Sequence, residues 1–406
     1  MPGIEPPPSA LQPATSPSRG GLDVRGQFPA IADWHYLDSA ATAQKPQAVI
    51  DAITNAYARD YATVHRGVYQ RSSEMTGRYE AARAAAAELI GGEADELIFT
   101  RGATEAINLV ARTLPRRGRD RVLLSTLEHH SNIVPWQLAG YEVDAVPLTP
   151  DGQIDLDAAE AMLTDDHRVV AFAHVSNVLG GILDARRAAQ IAHAKGALLL
   201  LDGCQAAPRI PVDVAAIGCD FYAFSAHKLY GPTGIGCLWG RPELLDSMPP
   251  WQGGGAMIDS VSFERTTFAQ PPQRFEAGTP HIVGAVGLHA AIDWIEGIGL
   301  DAIHSHESAL VAECRAALSA LGVTLYGPAD GAGIVSFNMA GVHPHDVATI
   351  LDDCSVAVRA GHHCAQPLMA ALGVEATCRA SFAAHSDSSD VAALVHGIEQ
   401  VKRIFG

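Results

Sequence analysis

The stretch "DARRAAQIAHAKGALLLLD", residues 184–202, decides the class of fold. Residues 184–196 have the apolar spacing of a helix, and the run "ALLLLD" that follows has the length and composition of a buried strand. Other short apolar runs lie on either side, separated by helical segments such as "ATEAINLVARTL" (103–114): "RVLLS" (121–125), "VVAFAHVSN" (169–177), "FYAFSAHK" (221–228) and "GIGCLWG" (234–240). Strands that alternate with helices form βαβ units, so the sequence predicts an α/β fold with a largely parallel sheet covered on both faces.

Composition narrows the class of protein. The 406 residues are 48% hydrophobic and 18% charged, and 28 Lys and Arg against 45 Asp and Glu give a formal net charge of −17. This charge repels phosphate backbones and argues against nucleic acid as a partner. No apolar run approaches the roughly 20 residues of a membrane helix, so no membrane association is expected. Seven cysteines without framework spacing argue against a disulfide scaffold and favour a reducing cytoplasm.

The chain is predicted to have four parts. Residues 1–20 contain six prolines and have the composition of a disordered Pro/Ser-rich arm, without the apolar core of a secretory signal. We expect residues 21–32 to form a segment that packs on the small domain and residues 33–285 to form the large domain. Residues 286–406 are expected to form a smaller C-terminal domain, which carries Cys364 on a loop.

The region between the two domains is rich in glycine and proline. The stretches "WQGGGAMIDS" (251–260) and "QPPQRFEAGTP" (270–280) are predicted to be loops. A long amphipathic helix is predicted from about residue 284, where it would link the two domains.

Lys228 lies in "FSAHKLYGPTGIG" (224–236), at the end of an apolar run and before a Gly/Pro-rich turn. Taken alone, such a lysine is a solvated residue at a strand end. Ser225 and His227 flank it, however, at positions where a hydroxyl and an imidazole could hold a phosphate. A lysine in such a pocket can form a Schiff base, which is the usual way in which a protein holds pyridoxal phosphate (PLP).

A PLP site also needs a carboxylate beside the ring nitrogen. Asp202 ends "ALLLLD", in the strand that precedes the lysine strand, and ligands of open α/β sheets bind at the carboxyl ends of the strands. A role as helix cap or turn residue remains the alternative for Asp202.

The phosphate and the ring need further contacts. Gly102 in "RGATEAINLV" (101–110) is a possible N-cap, and the free N–H groups of a helix N-terminus bind anions, with Thr104 adding a hydroxyl. His129 in "EHHSNIVPW" (128–136) is a candidate to stack on the ring. Zinc is the rival explanation for His129 and His130, but adjacent residues rarely ligate one ion, so no metal is expected.

The stretch "RAGHHCAQP" (359–367) places Cys364 after two histidines. A metal site, a reactive thiol and a loop of chance composition all fit this stretch when it is taken alone.

Together these motifs resemble the SUF-type (group II) cysteine desulfurases, which are PLP-dependent enzymes of fold type I in the class V aminotransferase-like group. The resemblance covers most of the chain, and its motifs occur in the family's order: "YLDSAATAQKP" (36–46), "RGATEAINLV", "EHHSNIVPWQ", "HVSNVLG" (174–180), "DGCQA" (202–206), "SAHKLYGPTGIG", "RFEAGTP" (274–280), "RAGHHCA" and "CRAS" (378–381). It implies PLP as cofactor and a large domain with a mostly parallel seven-stranded sheet, followed by a smaller α+β C-terminal domain.

The resemblance also implies a role for each matching residue. Lys228 would hold the cofactor, Asp202 would pair with the ring nitrogen and His129 would stack on the ring. Further cofactor contacts are implied for Gln205, Ser225, His227, Ala103, Thr104 and Thr279, the last of which would reach the site of a neighbouring subunit. Substrate contacts are implied for Arg379, Asn177, Arg359, His65 and His362.

By the same resemblance, Cys364 takes sulfur from L-cysteine as a persulfide and leaves L-alanine, with Lys228 and His129 as the other catalytic residues. The reaction needs a thiolate, which a cationic neighbourhood favours, and Arg359, His362 and His363 are expected to provide one. The alternative is an inert thiol, which would sit more naturally inside an apolar strand than in a Gly/His-rich segment before a proline.

The implied function is sulfur supply for iron–sulfur cluster assembly by a cytoplasmic homodimer that passes sulfur to an acceptor of the SufE or SufU type. L-Selenocysteine is a possible second substrate, through a selenocysteine lyase activity. A kynureninase-like hydrolase, an aminotransferase and a non-catalytic scaffold are the alternatives. The "HHCA" segment counts against the hydrolase and the aminotransferase, and the presence of Lys228 and Asp202 counts against the scaffold.

Two departures from the family pattern are visible. The segment "FAAHSDSSD" (382–390) stands where the family commonly has a Tyr-Asn-Thr segment, and Ser386 and Asp387 are expected to cap the last helix. Cys204 stands where the family often has alanine and is expected to be buried filler.

Overall fold

The computed structural model describes residues 22–406, so the predicted arm, residues 1–20, lies outside the described residues. The strands are β1 (His35–Tyr36), β2 (Leu97–Thr100), β3 (Arg121–Ser125), β4 (Glu142–Val146), β5 (His167–Ala173), β6 (Leu198–Asp202), β7 (Phe221–Ser225), β8 (Gly236–Gly240), β9 (Ile258–Val261), β10 (Thr266–Phe268), β11 (Thr324–Tyr326), β12 (Ile334–Asn338), β13 (Val356–Ala357), β14 (Arg359–Gly361) and β15 (Thr377–Ser381). The α-helices are α1 (Gln47–Asn55), α2 (Gln70–Glu88), α3 (Ala103–Thr113), α4 (Val134–Leu138), α5 (Leu156–Met162), α6 (Ala185–Ala194), α7 (Val214–Ile217), α8 (Pro242–Ser247), α9 (Ile282–Ile298), α10 (Leu300–Ala320), α11 (Pro344–Asp353), α12 (Gln366–Leu372) and α13 (Ser388–Phe405).

A seven-stranded sheet forms the centre of the protein, in the order β2-β8-β7-β6-β5-β3-β4. Every strand pair is parallel except the two that involve β8, which runs antiparallel to both of its neighbours. Strands β5 and β7 are buried along their whole length, as expected for continuous apolar runs in a sheet with both faces covered. The predicted α/β class with a mostly parallel seven-stranded sheet is confirmed.

A second, smaller sheet has the order β11-β12-β15-β14 and is antiparallel throughout. Helices α10, α11 and α13 contribute side chains to an apolar core of its own, which includes Leu310, Leu351 and Leu394 with Phe337 of β12. The stretch "VAVRAG" (356–361) is divided between two sheets, because β13 pairs with β1 and β14 pairs with β15.

Helix α9 differs from the amphipathic helix that the sequence predicts. It begins at Ile282 and is buried on most of its sides, in the same apolar core as the large sheet. A helix that is apolar all round belongs in a core, so α9 packs with the core of the large sheet. The predicted domain boundary between residues 285 and 286 therefore falls inside α9. Among residues 22–406 no single helix is long and apolar enough to cross a membrane, and α9 and α10 meet that test only as a pair bent by 76°.

The Gly/Pro-rich region contains regular structure that the sequence does not predict. Strands β9 and β10 form an antiparallel hairpin with a register shift between Thr267 and Phe268. Its exposed side chains, such as Phe263 in the turn, carry no alternating pattern that would identify a half-buried strand.

The segment at the start of the described chain packs on both units. Phe28 contacts the rings of Trp294 in α9 and His385, and Arg25 donates to the Asp390 carboxylate at 2.9 Å. Asp387 caps α13 as predicted, and it forms a reciprocal capping box with Asp390. The unusual segment 382–390 is thus largely buried beneath this N-terminal segment.

Candidate active site

A cavity of about 220 Å³ opens at the carboxyl ends of β6 and β7 and brings together most of the predicted site residues. The predicted residues that line it are Ala103, Thr104, His129, Asn177, Asp202, Ser225, His227, Lys228, Arg359, Cys364 and Arg379. Ligands of open α/β sheets bind at this edge, because loops and helix N-termini converge there.

Asp202 and Lys228 lie on neighbouring strand ends. Asp202 is the last residue of β6, is buried, and accepts a hydrogen bond from the Cys204 N–H at 3.0 Å. The strand that precedes Lys228 ends earlier than predicted, at Ser225, and Lys228 closes a short 3₁₀ turn over Ala226–Lys228. Because β6 and β7 are parallel neighbours, the carboxylate and the ammonium face the same cavity.

The start of α3 forms a cradle of backbone N–H groups beside Lys228. Gly102 is the N-cap and places no side chain over the helix end, while the Ala103 N–H donates to the Ser225 Oγ at 2.9 Å. A Cβ at Gly102 would lie 3.2 Å from that Oγ, so glycine keeps the cradle open. Thr104 adds a hydroxyl, which is paired with the Ser131 hydroxyl at 2.7 Å. Free N–H groups, hydroxyls and a helix N-terminus are the donors that a phosphate requires.

Two of the three histidines that line the cavity, His129 and His227, are kept neutral by burial beside Lys228. Burial, with the Lys228 charge as second cause, lowers the pKa of His129 to about 4, and the same causes in the same order lower that of His227 to about 4. The Nδ1 atom of His129 accepts the Ser131 N–H at 3.1 Å, so the remaining ring proton is on Nε2. A neutral, oriented imidazole suits the predicted stacking role.

Arg379 is held from two sides and is almost wholly buried. Its Nη1 donates to the Asn177 carbonyl at 2.7 Å and its Nη2 to the Asp38 Oδ1 at 3.0 Å, while its Nε has no partner among residues 22–406. Burial lowers the pKa of Arg379 to about 10 against the opposing effect of Asp38. An unpartnered guanidinium N–H is suited to a substrate carboxylate. Sequence reasoning missed Asp38, although it lies in the "YLDSAATAQKP" motif.

Cys364 occupies a constrained loop between β14 and α12. His363 and Cys364 both have positive φ angles, 52° and 57°, a backbone conformation that residues other than glycine rarely adopt. The Cys364 carbonyl accepts the His130 N–H at 2.7 Å, the His130 Nε2 accepts the Gln366 N–H at 3.2 Å, and Asn177 donates to the His363 carbonyl at 2.9 Å. The sequence makes His130 a candidate only for a metal site, and no signal in it indicates that His130 forms hydrogen bonds to the Cys364 loop.

His363 does not supply the positive charge that the sequence predicts. Its ring is buried, with Nε2 3.0 Å from the Thr377 carbonyl, and burial, with the Arg379 charge as second cause, lowers its pKa to about 3. His362 is exposed and does not line the cavity. Of the three predicted cations, Arg359 and His363 line the cavity, but His363 is neutral there, so Arg359 supplies the charge together with Arg379.

Cys204 is the second thiol of the cavity, and it is inert. Its Sγ lies 3.6 Å from the Ser225 Oγ, and burial, with the Asp202 charge as second cause, raises its pKa to about 12. The predicted role as buried filler agrees with this environment.

Four predicted residues lie outside the cavity. Gln205 sits behind its wall, where its Nε2 donates to the Ala40 carbonyl at 2.8 Å, and His362 is on the surface. Thr279 and His65 line a separate depression of about 270 Å³, where the His65 Nε2 lies 2.8 Å from a Glu80 carboxylate oxygen. Among residues 22–406 no group of three His, Cys, Asp or Glu side chains is arranged to hold a metal ion.

The fold and the cavity define a protein of the PLP-dependent transferase type. A mostly parallel sheet, a lysine and an aspartate at adjacent strand ends and an anion cradle at a helix N-terminus are the parts that this class uses to hold its cofactor. The aminotransferase class-V model matches residues 35–394, and the chain belongs to that family.

The chain is similar over most of its length to proteins named as cysteine desulfurases. A cysteine desulfurase of Dickeya dadantii is 46% identical over 399 residues, covering 94% of this chain and 97% of the relative. A probable cysteine desulfurase of Halalkalibacterium halodurans is 49% identical over 380 residues, covering 91% and 94%. The solved apo structure of the cysteine desulfurase from Thermococcus onnurineus has a TM-score of 0.91 at 40% identity, covering 95% of this chain and 99% of that one.

Proposed function

We propose that this protein is a PLP-dependent cysteine desulfurase, which converts L-cysteine to L-alanine and receives the sulfur on Cys364. The observation that carries the proposal is that Cys364, Lys228 and Arg379 line one cavity, although they come from three separate parts of the chain. A nucleophile, a base and a carboxylate-binding group in one cavity are the parts that the reaction needs.

The residues of the cavity fit the cofactor. Lys228 would hold PLP covalently, Asp202 would pair with the ring nitrogen, and neutral His129 would lie against the ring. The α3 N-terminus with Ser225 would hold the phosphate. When bound, PLP supplies an electron sink for bonds that break next to the substrate nitrogen.

The protein's own residues divide the work of the reaction. The Arg379 guanidinium binds the substrate carboxylate and so fixes the sulfur near the Cys364 loop. The Lys228 Nζ is the base that would take the proton from the substrate Cα. The Cys364 thiolate attacks the substrate sulfur. The Sγ–S bond forms while the Cβ–S bond breaks, so Cys364 keeps the persulfide and the carbon skeleton takes up protons to become alanine.

We propose further that the enzyme works as a cytoplasmic homodimer in SUF-type iron–sulfur assembly and passes its sulfur to an acceptor of the SufE or SufU type. Thr279 and His65 lie together outside the cavity, in an exposed depression, which supports their serving the site of a second subunit. Selenocysteine lyase activity is the second candidate, and the same cavity would accept that substrate.

The test is alanine release from L-cysteine by the purified protein under reductant, with wild type beside Cys364→Ala and Cys204→Ala. Cys204 is the matched control, because it is a second thiol that lines the same cavity. We expect Cys364→Ala to lose nearly all activity and Cys204→Ala to keep it. Equal alanine release by wild type and Cys364→Ala would show that Cys364 is not the sulfur acceptor and would favour a lyase. No release by a PLP-loaded wild type would exclude L-cysteine as a substrate of the isolated protein.

A further inference from the structure

A chain of buried polar side chains leads from α10 to the wall of the cavity. Glu307, Arg209 and Gln205 are 1%, 2% and 2% exposed. The Arg209 Nε lies 3.1 Å from the Glu307 Oε2, and its Nη1 donates to the Gln205 Oε1 at 2.7 Å. The Gln205 Nε2 in turn donates to the carbonyl of Ala40, which lines the cavity.

Arg209 determines which way the Gln205 amide faces. A guanidinium can only donate hydrogen bonds, so the amide atom next to it must be the oxygen. The amide nitrogen therefore points toward Ala40, which lines the cavity and whose carbonyl accepts one of its two N–H groups. With an apolar residue in place of Arg209, only the Ala40 carbonyl would still favour the nitrogen on its side, so one contact instead of two would fix the orientation of the amide.

Arg209 is held by two further hydrogen bonds, whereas its contact with Glu307 is a close charge pair without hydrogen-bond geometry. Its Nη1 also donates to the Gln205 carbonyl at 3.2 Å and its Nη2 to the Phe382 carbonyl at 3.4 Å. A Cβ at Gly333 would lie 2.3 Å from the Glu307 Oε2 and 2.7 Å from the Arg209 Nε, so the ion pair sits directly against a glycine. A buried ion pair commonly adds little net stability, so orientation is the better explanation for this one.

We propose that Arg209, oriented by Glu307, is a positioning residue that makes Gln205 present an N–H donor to the ring oxygen of PLP. The inference rests on the proposed function, because the ring oxygen belongs to the cofactor. Neither Arg209 nor Glu307 lines the cavity, so both act through Gln205. The consequence is that α10, which packs in the core of the smaller unit, is connected to the electronic state of the cofactor.

The test measures the visible absorbance of bound PLP as a function of pH. Its midpoint reports the proton on the nitrogen that joins Lys228 to PLP. The negative charge on the neighbouring ring oxygen stabilises this proton, and a hydrogen bond donated to that oxygen weakens the stabilisation. Loss of the hydrogen bond therefore raises the midpoint. A hydrogen bond of ordinary strength corresponds to a rise of about 0.5 to 1 pH unit.

The variants are Gln205→Leu, the double variant Arg209→Met/Glu307→Gln and the triple variant that combines them. Changing both members of the ion pair avoids a buried unpaired carboxylate. We expect an upward shift in all three proteins, smaller in the double variant because the Ala40 carbonyl still favours the amide nitrogen there. The triple variant should show no further rise over Gln205→Leu, since residues that act through one another are not additive. An unchanged midpoint in the double variant, or in Gln205→Leu, overturns the inference.

If the double variant does not fold, Arg209→Gln/Glu307→Gln replaces the guanidinium by an amide, which can donate or accept and so no longer requires the Gln205 oxygen beside it. Its midpoint should also rise, and an unchanged one refutes the inference. A wild-type protein that binds no PLP refutes the proposed function and the inference with it. Bound PLP with unmoved midpoints in the variants refutes the inference alone.

Discussion

The loop that carries Cys364 should loosen when the side chain of His130 is removed. In His130→Ala the Gln366 N–H, the first of α12, loses its acceptor at 3.2 Å. The backbone bond from the His130 N–H to the Cys364 carbonyl at 2.7 Å does not depend on the side chain and should remain. The substitution thus removes one of the two contacts between His130 and the loop.

The expected increase in local opening of the loop follows from the free energy of that one hydrogen bond. Loss of a single acceptor at a helix start costs about 1 kcal/mol, which is a factor of about five in a local opening equilibrium. Hydrogen exchange measured by mass spectrometry on peptides that span residues 359–373 should therefore be about fivefold faster in His130→Ala. His130→Gln is the matched control, because its amide oxygen can replace the ring nitrogen as acceptor.

The same contact predicts a dependence on pH. Burial, with the charge of His362 as second cause, lowers the pKa of His130 from its ordinary value. Above that pKa the Nε2 accepts the Gln366 N–H, and as the pH falls through it the ring becomes a donor and the bond is lost. Exchange of the wild-type loop, corrected for the intrinsic rate, should accelerate at acid pH, whereas His130→Ala should not respond. Equal exchange in wild type and His130→Ala at neutral pH would refute this account of the loop.

Three further outcomes are expected from other buried groups. Arg379→Lys should raise the KM for L-cysteine about 10- to 100-fold while kcat falls less, as steady-state kinetics would show, because an ammonium cannot bind a carboxylate bidentately. Burial raises the pKa of Glu128 to about 7, above its value in the unfolded chain. The native carboxyl therefore keeps a proton that the unfolded chain loses, and the free energy of unfolding falls as the pH rises from about 4.5 to 7. Glu128→Gln should remove up to about 3 kcal/mol of that fall in urea unfolding at several pH values. Arg25→Ala leaves the buried carboxylate of Asp390 with fewer donors and should cost about 1–3 kcal/mol in the same assay, while Arg187→Ala, whose ion pair is exposed, should cost under about 1 kcal/mol.

The sequence located the strand ends of the site because the physics there is local. Asp202 ends a run of four leucines and Ser225 ends another apolar run, and a polar residue that closes a buried strand must lie at the sheet edge. The helix that begins after Gly102 is likewise visible in a short stretch of sequence. Local pattern therefore predicted that the lysine, the carboxylate and the anion cradle belong together.

Contacts between distant parts of the chain were not predictable in this way. Asp38 meets Arg379 across 341 residues, and His130 meets Gln366 across 236. No periodicity or composition signal encodes such pairs. The error at His363 has the same origin, because a histidine in a glycine-rich loop gives no sign in sequence that its ring is buried against the neighbouring strand.

The burial of its histidines gives the site a clear division of charge. His129, His227 and His363 all have pKa values lowered by burial, to about 4, 4 and 3, so at neutral pH they act as neutral rings and hydrogen-bonding groups. The positive charge of the cavity then comes from Lys228, Arg359 and Arg379. Burial lowers the pKa of Arg379 only to about 10, so its charge persists between pH 6 and 8, where a cavity charged by histidines of ordinary pKa would lose its charge. It follows that a change of activity in that range should not come from Arg379 or from the three buried histidines.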